Sequence, residues 1–388
     1  MKNHDLRISV IEPVGGHGGM NYYDFGLAGG LVDAGVDVVL HTCDETDIST
    51  EGTFEVRHTF KSIYGKSVPW KRGLRFLRGS IVALLSAVVE RRHIVHFHFF
   101  HVGALQTMQV TLARLLMRKI VVTAHDVESF VAGLEAPVLS RMVYKLAHRV
   151  IAHNQISRTE LIGRIGLNAE IITVIPHGNY LHAARILPPQ ANARQLLGIP
   201  GNAKVLLFFG QIKDVKGLDL LIEAMPEIIK NHPATVLLIA GKPWKSDFSI
   251  YDRLIEKLAV RNNCITNIRF IPDSEVPIYY SACDLVVLPY RRIYQSGVVL
   301  MAMSYGKAVL VSSLPGMTEI VHDGVNGFVF QSDRSDDLSA KLSEILGNIE
   351  SIQRIAAKGK EYVIEKHDWH SIGEATAYLY RGMLCGKT

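Results

Sequence analysis

Two doubly wound α/β domains in tandem are the fold class this sequence predicts, and three observations predict it. The 388 residues exceed one ordinary core and suit two domains of roughly 150 to 200 residues each. Up to position 175 short β-branched runs alternate with longer helical patterns, which is how βαβ units and parallel sheets read in sequence. After a looser stretch over 180–192 that contains Pro188 and Pro189, the same alternation starts again.

The elements follow in order. Runs at 6–11, 36–41, 93–99, 119–124, 149–153 and 171–175 read as strands, with helical patterns at 20–34, 70–89 and 102–117 between them. The second series places strands at 205–209, 236–240, 268–271, 285–288 and 308–311, separated by helical patterns. This predicts an amino-terminal Rossmann-like domain over 1–185 and a second domain over 193–365. A closing helix over 366–388 includes Trp369 and is expected to cross back onto the first domain. Open parallel sheets bind ligands beyond their strand carboxyl ends, so a ligand is expected in the crevice between the two domains.

Composition excludes several classes. With 48% hydrophobic and 20% charged residues the chain is neither disordered nor low in complexity. Cys43, Cys264, Cys283 and Cys385 show no CxxC spacing, which argues against a disulfide scaffold or zinc module. No stretch approaches the roughly 18 apolar residues of a membrane span, and the segment ahead of Ile8 is too short for a signal peptide. A cytoplasmic protein is therefore expected. The net charge of +5 is concentrated: Arg57, Lys61, Lys66, Lys71, Arg72, Arg75, Arg78, Arg91 and Arg92 stand against one acid, Glu90. Something anionic is expected to meet this segment, with no nucleic acid implied.

Three segments offer ligand chemistry. Gly15, Gly16, His17, Gly18 and Gly19 follow the first strand, so their backbone amides are expected to approach a ligand at a strand-to-helix turn. The spacing is not GxGxxG, and His41 and Thr42 stand where a dinucleotide site needs an acid, which makes nicotinamide binding unlikely from the residues alone. In the second half Gly210 and Gln211 lead through Lys213 and Lys216 to Gly217 and a helix, where a lysine reaches a diphosphate. Finally, Arg291 and Arg292 precede Gln295, Ser296, Gly297 and Val298 at the start of an apolar helix. Ser296 reads as its N-cap, and the free amides of Ser296, Gly297 and Val298 as an anion site.

Here the sequence resembles a known family. The stretches GQIKDVKGLDLLIEAM, DLVVLP, AMSYGKAVLVS, PGMTEIVHDGVNGFVF and KHDW are similar to glycosyltransferase family 4, over most of the chain and most closely from 205 to 370. The resemblance implies the GT-B fold, a nucleotide-diphosphate sugar donor held mainly by the second domain, and transfer that retains configuration without a metal or other cofactor. It implies that Gly16, Gly18 or Gly19 lie beside the donor diphosphate, that His125 lies near the transferred sugar and that Lys216 binds phosphate. The arginine usual after the preceding glycine is Gln211 here, so Lys213, Arg291 or Arg292 is expected to substitute. The family's paired glutamates, with seven residues between them, fall on Ile293 and Met301, so both carboxylates are absent. Backbone amides and Gln295 are the expected replacements for the lost donor contacts.

Two further features are weighed on their residues. His96, His98 and His101 invite a metal, but no local carboxylate or cysteine joins them, and buried or cleft-lining histidines are the favoured account. Trp70, Leu74, Leu77, Ile81, Leu84 and Val88 form one helical stripe flanked by Lys71, Arg72, Arg75 and Arg78, which suits either an anionic membrane surface or an ordinary core helix. The expected function is transfer of a sugar from a nucleotide sugar to a hydroxyl of a lipid-linked or polysaccharide acceptor. The alternative is a catalytically silent nucleotide-binding partner of another transferase.

Overall fold

The computed structural model describes residues 6–16, 19–46, 53–127, 137–184, 186–244 and 247–385. The chain divides into two compact units, Met1–Gly178 together with His367–Thr388, and Asn179–Lys366. Among the described residues, the amino-terminal unit is built on seven parallel strands: β1 Arg7–Ile11, β2 Asp37–Cys43, β3 Glu55–Phe60, β4 Ile94–Phe99, β5 Lys119–Ala124, β6 Arg149–Ala152 and β7 Ile172–Val174. Their order is β3-β2-β1-β4-β5-β6-β7, so the winding reverses between β1 and β4. The second unit repeats the plan with β8 Lys204–Phe209, β9 Thr235–Ala240, β10 Cys264–Asn267, β11 Leu285–Leu288, β12 Ala308–Ser312 and β13 Phe328–Phe330. Its order is β10-β9-β8-β11-β12-β13, with the reversal between β8 and β11.

The central strands are buried on both faces, which is why they read as continuous apolar runs. The edges read less clearly. Strand β3, with sequence EVRHTF, fully buries only Phe60 and shows no apolar run. Strand β13 is three residues long. At the other edge the pairing takes Cys264–Asn267 rather than the predicted 268–271, and Phe270 is exposed.

The chain leaves the first unit at Gly178, ahead of the expected 185, because the next residues bond to the second unit. Asn179 Nδ2 donates to Val363 O at 3.2 Å, Tyr180 N to Ser304 Oγ at 2.9 Å, and Tyr305 OH to Ala183 O at 3.1 Å. The closing helix Trp369–Leu384 packs on the first helix, Met20–Asp33. Asp368 caps it, accepting from Ser371 N at 2.9 Å. The two helices touch backbone to backbone at Gly30 and Gly373, and the Trp369 ring fills the space a side chain on Gly26 or Gly178 would need. Tyr380 OH reaches His96 Nδ1 at 2.7 Å, tying the end of the chain to β4.

The helix Pro69–Val89 forms as predicted but turns differently. Its buried face is Phe76, Gly79, Ser80, Ala83, Leu84 and Ala87, and only Leu84 of the predicted stripe is fully buried. Trp70, Leu74 and Ile81 are exposed, as are Val82, Leu85 and Val89. Small residues decide the orientation: a Cβ on Gly79 would stand 2.7 Å from the Phe60 ring and 2.8 Å from Thr59 O, so the helix lies close against β3 only on that side.

Candidate active site

In the second unit the loops after β8 and β11 meet. Gly210 ends β8 with φ 103°, a conformation side chains rarely adopt, and Gly241 approaches its carbonyl too closely for a Cβ. The space a side chain on Gly210 would enter is bounded by Val298 Cγ2 at 3.6 Å and Lys216 Nζ at 3.7 Å. Lys216 lies in the turn Asp214–Lys216 that precedes the helix Leu218–Asn231, and its ammonium stands 5.0 Å from the centre of the Tyr290 ring. Gly217 holds that turn at φ 62° against Pro289 O.

Ser296 is the N-cap residue of the helix Gly297–Ser304, with no hydrogen bond from its side chain to the helix end. The N–H groups of Gly297 and Val298 have no partner among the described residues, so this end offers two donors and the positive end of the helix dipole. The structure therefore brings Gly210, Lys216, Gly297 and Val298 to one place. Gln211 is exposed, Gln295 is half-buried, and Ile293 and Met301 are half-buried apolar residues that accept no hydrogen bond from a hydroxyl.

Arg291 is a correction. Arg291 does not stand free to hold a phosphate: Nη1 and Nη2 each donate to Asp219 at 2.7 Å, and Nε donates to Asp333 at 2.9 Å. Those two carboxylates raise its pKa further and absorb its charge. Its role in the structure is to bind the 214–219 segment to the loop after β11. Arg292 is exposed, and Lys213 lies over the Trp244 ring at 5.2 Å.

Gly16 is a second correction. Glu12, fully buried after β1, accepts from Val14 N at 2.8 Å and Gly15 N at 2.6 Å, while Gly16 N donates to Thr46 Oγ1 at 3.2 Å. These amides face inward. Gly15 and Gly16 are needed because a Cβ on either would collide with the segment 42–46. Gly19, at φ 81°, is the N-cap residue of the first helix, and His17 and Gly18 lie outside the described residues.

His125 follows β5 and is buried, its ring stacked on Phe100 with centroids 4.7 Å apart and edge-on to Tyr23 at 4.6 Å. Around Tyr23 also stand His98, His153, His177 and Trp369. Burial pushes the His125 pKa well down and that of His153 to about 4, so both rings are neutral near pH 7. Their tautomers then follow. His153 Nδ1 lies 3.0 Å from Ile175 O, which only accepts, so Nδ1 carries the proton and Nε2 is bare. His153 Nε2 lies 3.3 Å from His125 Nδ1, which must donate. That leaves His125 Nε2 as a buried lone pair with no partner among the described residues, fit to accept a hydroxyl hydrogen.

His96 and His98 share a face as predicted, with centroids 4.7 Å apart, and each has a protein partner. His96 bonds Thr123 and Tyr380, while His98 bonds Asp24 at 3.0 Å. His101 is exposed. The sequence reading missed Glu12, Tyr23, Asp24, His153 and His177. The available signal was register: His125 and His153 each follow the last residue of a strand, as Glu12 follows β1.

The helix Pro69–Val89 carries the remaining candidates. Trp70, Lys71 and Arg78 are exposed, with the Lys71 ammonium 5.6 Å from the Trp70 ring. Arg75 donates to Ser62 O at 2.9 Å, and Arg72 is half-buried. Arg57 pairs with Glu55 and Glu90, and buried Arg92 with Asp37 and Glu90, so part of the basic cluster is neutralised within the unit.

Comparison with known proteins gives the family and the fold. Residues 17–179 match the family model for Glycosyltransferase Family 4, and residues 189–362 that for Glycosyl transferases group 1. An uncharacterized glycosyltransferase of Methanocaldococcus jannaschii is 31% identical over 192 residues, 49% of this chain and 48% of that protein, so the chain spans about half the length of this relative. A D-inositol 3-phosphate glycosyltransferase of Kineococcus radiotolerans is 26% identical over 95% of this chain and 91% of its own. HepE of Anabaena, solved in complex with UDP, superposes with a TM-score of 0.77 at 20% identity, covering 97% of this chain and 100% of that one. The fold is that of the GT-B glycosyltransferases. With two family models covering both units and the glycine, lysine and helix end of the second gathered at one point, the chain belongs to glycosyltransferase family 4.

Proposed function

We propose that this glycosyltransferase moves a sugar from a nucleotide-diphosphate sugar to a hydroxyl of a lipid-linked or polysaccharide acceptor, with retention at the anomeric carbon and without a metal. The observation that carries the reading is the convergence at Gly210 of the Lys216 ammonium and the open amino end of the helix Gly297–Ser304. One full positive charge and two aligned N–H donors suit a diphosphate, and the UDP in complex with HepE, a protein of the same fold, supports a nucleotide ligand. As the bond from the anomeric carbon to the β-phosphate oxygen breaks, its electrons pass to the diphosphate. The acceptor hydroxyl forms the new bond and its proton passes to a phosphate oxygen. Lys216 and the helix amides stabilise the charge that accumulates.

The test is incubation of the purified chain with UDP-, GDP- and ADP-sugars, a membrane lipid extract and EDTA. The expected result is transfer from one donor, undiminished by the chelator. A chain that neither transfers nor slowly hydrolyses any donor is the silent partner that Ile293 and Met301 leave open.

The face of the helix Pro69–Val89 supports attachment to an anionic bilayer. Among the described residues no helix is long and apolar enough to cross a membrane, yet Trp70, Leu74, Ile81, Val82, Leu85 and Val89 are exposed on one helix beside Lys71 and Arg78. Each basic residue near an anionic surface contributes about 1 kcal/mol. Replacing Lys71, Arg72 and Arg78 with glutamine and Trp70 with serine is expected to weaken sedimentation with phosphatidylglycerol vesicles more than tenfold, with transfer to a short soluble acceptor retained. Equal sedimentation of both proteins would make this an ordinary exposed face.

A further inference from the structure

The carboxyl ends of β8 and β11 carry the site described above. At the amino ends of the same strands lies a separate cavity of about 600 Å³, the size of a small-molecule pocket. Arg194, Lys204, Lys307 and Lys360 line it, and the one carboxylate among its lining residues is Asp284. Asp284 is fully engaged: both oxygens accept from Arg194 Nη2, at 3.0 and 2.9 Å, and Oδ2 accepts from Val205 N at 2.7 Å. The lysines are oriented rather than neutralised. Lys204 Nζ donates to Leu346 O at 2.7 Å and contacts His232 Nδ1 at 3.2 Å; Lys307 Nζ donates to Cys283 O at 2.9 Å and Ser281 O at 3.4 Å. Each ammonium has three N–H donors, so each keeps one in hand. Lys360 is exposed and has no hydrogen-bond or ion-pair partner among the described residues.

Part of the lining is aliphatic. Leu346 and Ile352 are buried there, and Ile349 is exposed at the rim. Inorganic phosphate would satisfy only the cationic part, and a neutral aromatic compound only the aliphatic one. We propose that this cavity binds a small organic anion with an apolar body, of the class of aryl or alicyclic phosphates, sulfonates and carboxylates. The bound anion takes the spare donors of Lys204 and Lys307 with the ammonium of Lys360, and its body lies against Leu346, Ile349 and Ile352.

The probe is 8-anilinonaphthalene-1-sulfonate, titrated by fluorescence against the full chain. We expect one saturable site, affinity reduced at least fivefold by Lys360→Glu and separately by Ile349→Ser, and at least tenfold weaker binding of uncharged N-phenyl-1-naphthylamine. Bound probe should also protect Lys360 from acetylation by sulfo-N-hydroxysuccinimide acetate, read by mass spectrometry. UDP, GDP and ADP should leave the probe in place, because the donor site is at the other end of the sheet. Both variants are at exposed positions, which keeps folding out of the comparison. Unchanged affinity in both variants, equal binding of the neutral compound, no protection of Lys360, or displacement by a nucleoside diphosphate would each overturn the proposal.

Discussion

Replacing Lys216 with alanine is expected to lower the turnover of sugar transfer by about 100-fold or more, the scale of removing one preorganised electrostatic donor from a charge-developing site. The expectation rests on position, because the Lys216 ammonium borders the space at Gly210. Arg291, in the loop after β11, has its guanidinium held by Asp219 and Asp333. Lys213 lies over Trp244. Position 211 holds an exposed glutamine. Lys216 therefore carries the full positive charge at Gly210, and binding of a nucleoside without phosphates should barely change in the variant. Steady-state kinetics with whichever nucleotide sugar supports transfer, together with nucleoside calorimetry, separates the two effects. Turnover within twofold of the parent would return Lys216 to the role of a surface lysine resting on Tyr290.

Gly373→Ala is expected to destabilise the amino-terminal unit by about 3 kcal/mol, the upper part of the range for forcing atoms into a filled contact. A Cβ at this position would enter the backbone of Gly30, and backbone cannot rotate away as a flexible side chain can. For a unit of this size the calorimetric transition should fall by roughly 6–12 °C. Gly29→Ala is the internal control. It lies in the same first helix with nothing within 4 Å of the new Cβ, so it should be neutral or stabilise by up to about 1 kcal/mol, because alanine favours helix over glycine. Equal transitions for the two variants would mean that the helix pair separates to admit a methyl group at little cost, and that the closing helix is not held by this contact.

The histidines show how far register alone reaches. His125 was legible through the family resemblance, and by register it stands just after an apolar run, where a strand ends. His153 and Glu12 obey the same rule, yet each sits beside a different strand, and nothing in linear order says that β5 and β6 lie side by side. The proton on His125 depends on that adjacency, since Ile175 O fixes His153 and His153 fixes His125. The helix Pro69–Val89 was legible as a helix but not as an orientation. Both of its sides carry apolar residues, and the side with Gly79, Ser80, Ala83 and Ala87 turned inward because small side chains let it approach Phe60.

By itself the sequence determined the two βαβ series, the central strands and the turns at Gly210 and Gly217, because hydrophobic period and backbone freedom are local properties that each segment carries alone. The tertiary structure decided which charges and amides are still available. Arg291 is neutralised by acids 72 and 42 positions away, and Gly16 N is taken by Thr46, 30 positions away. Electrostatic and hydrogen-bond satisfaction are set by whatever the fold brings within about 3 Å, so which cation is left to meet a phosphate is a property of the packed chain.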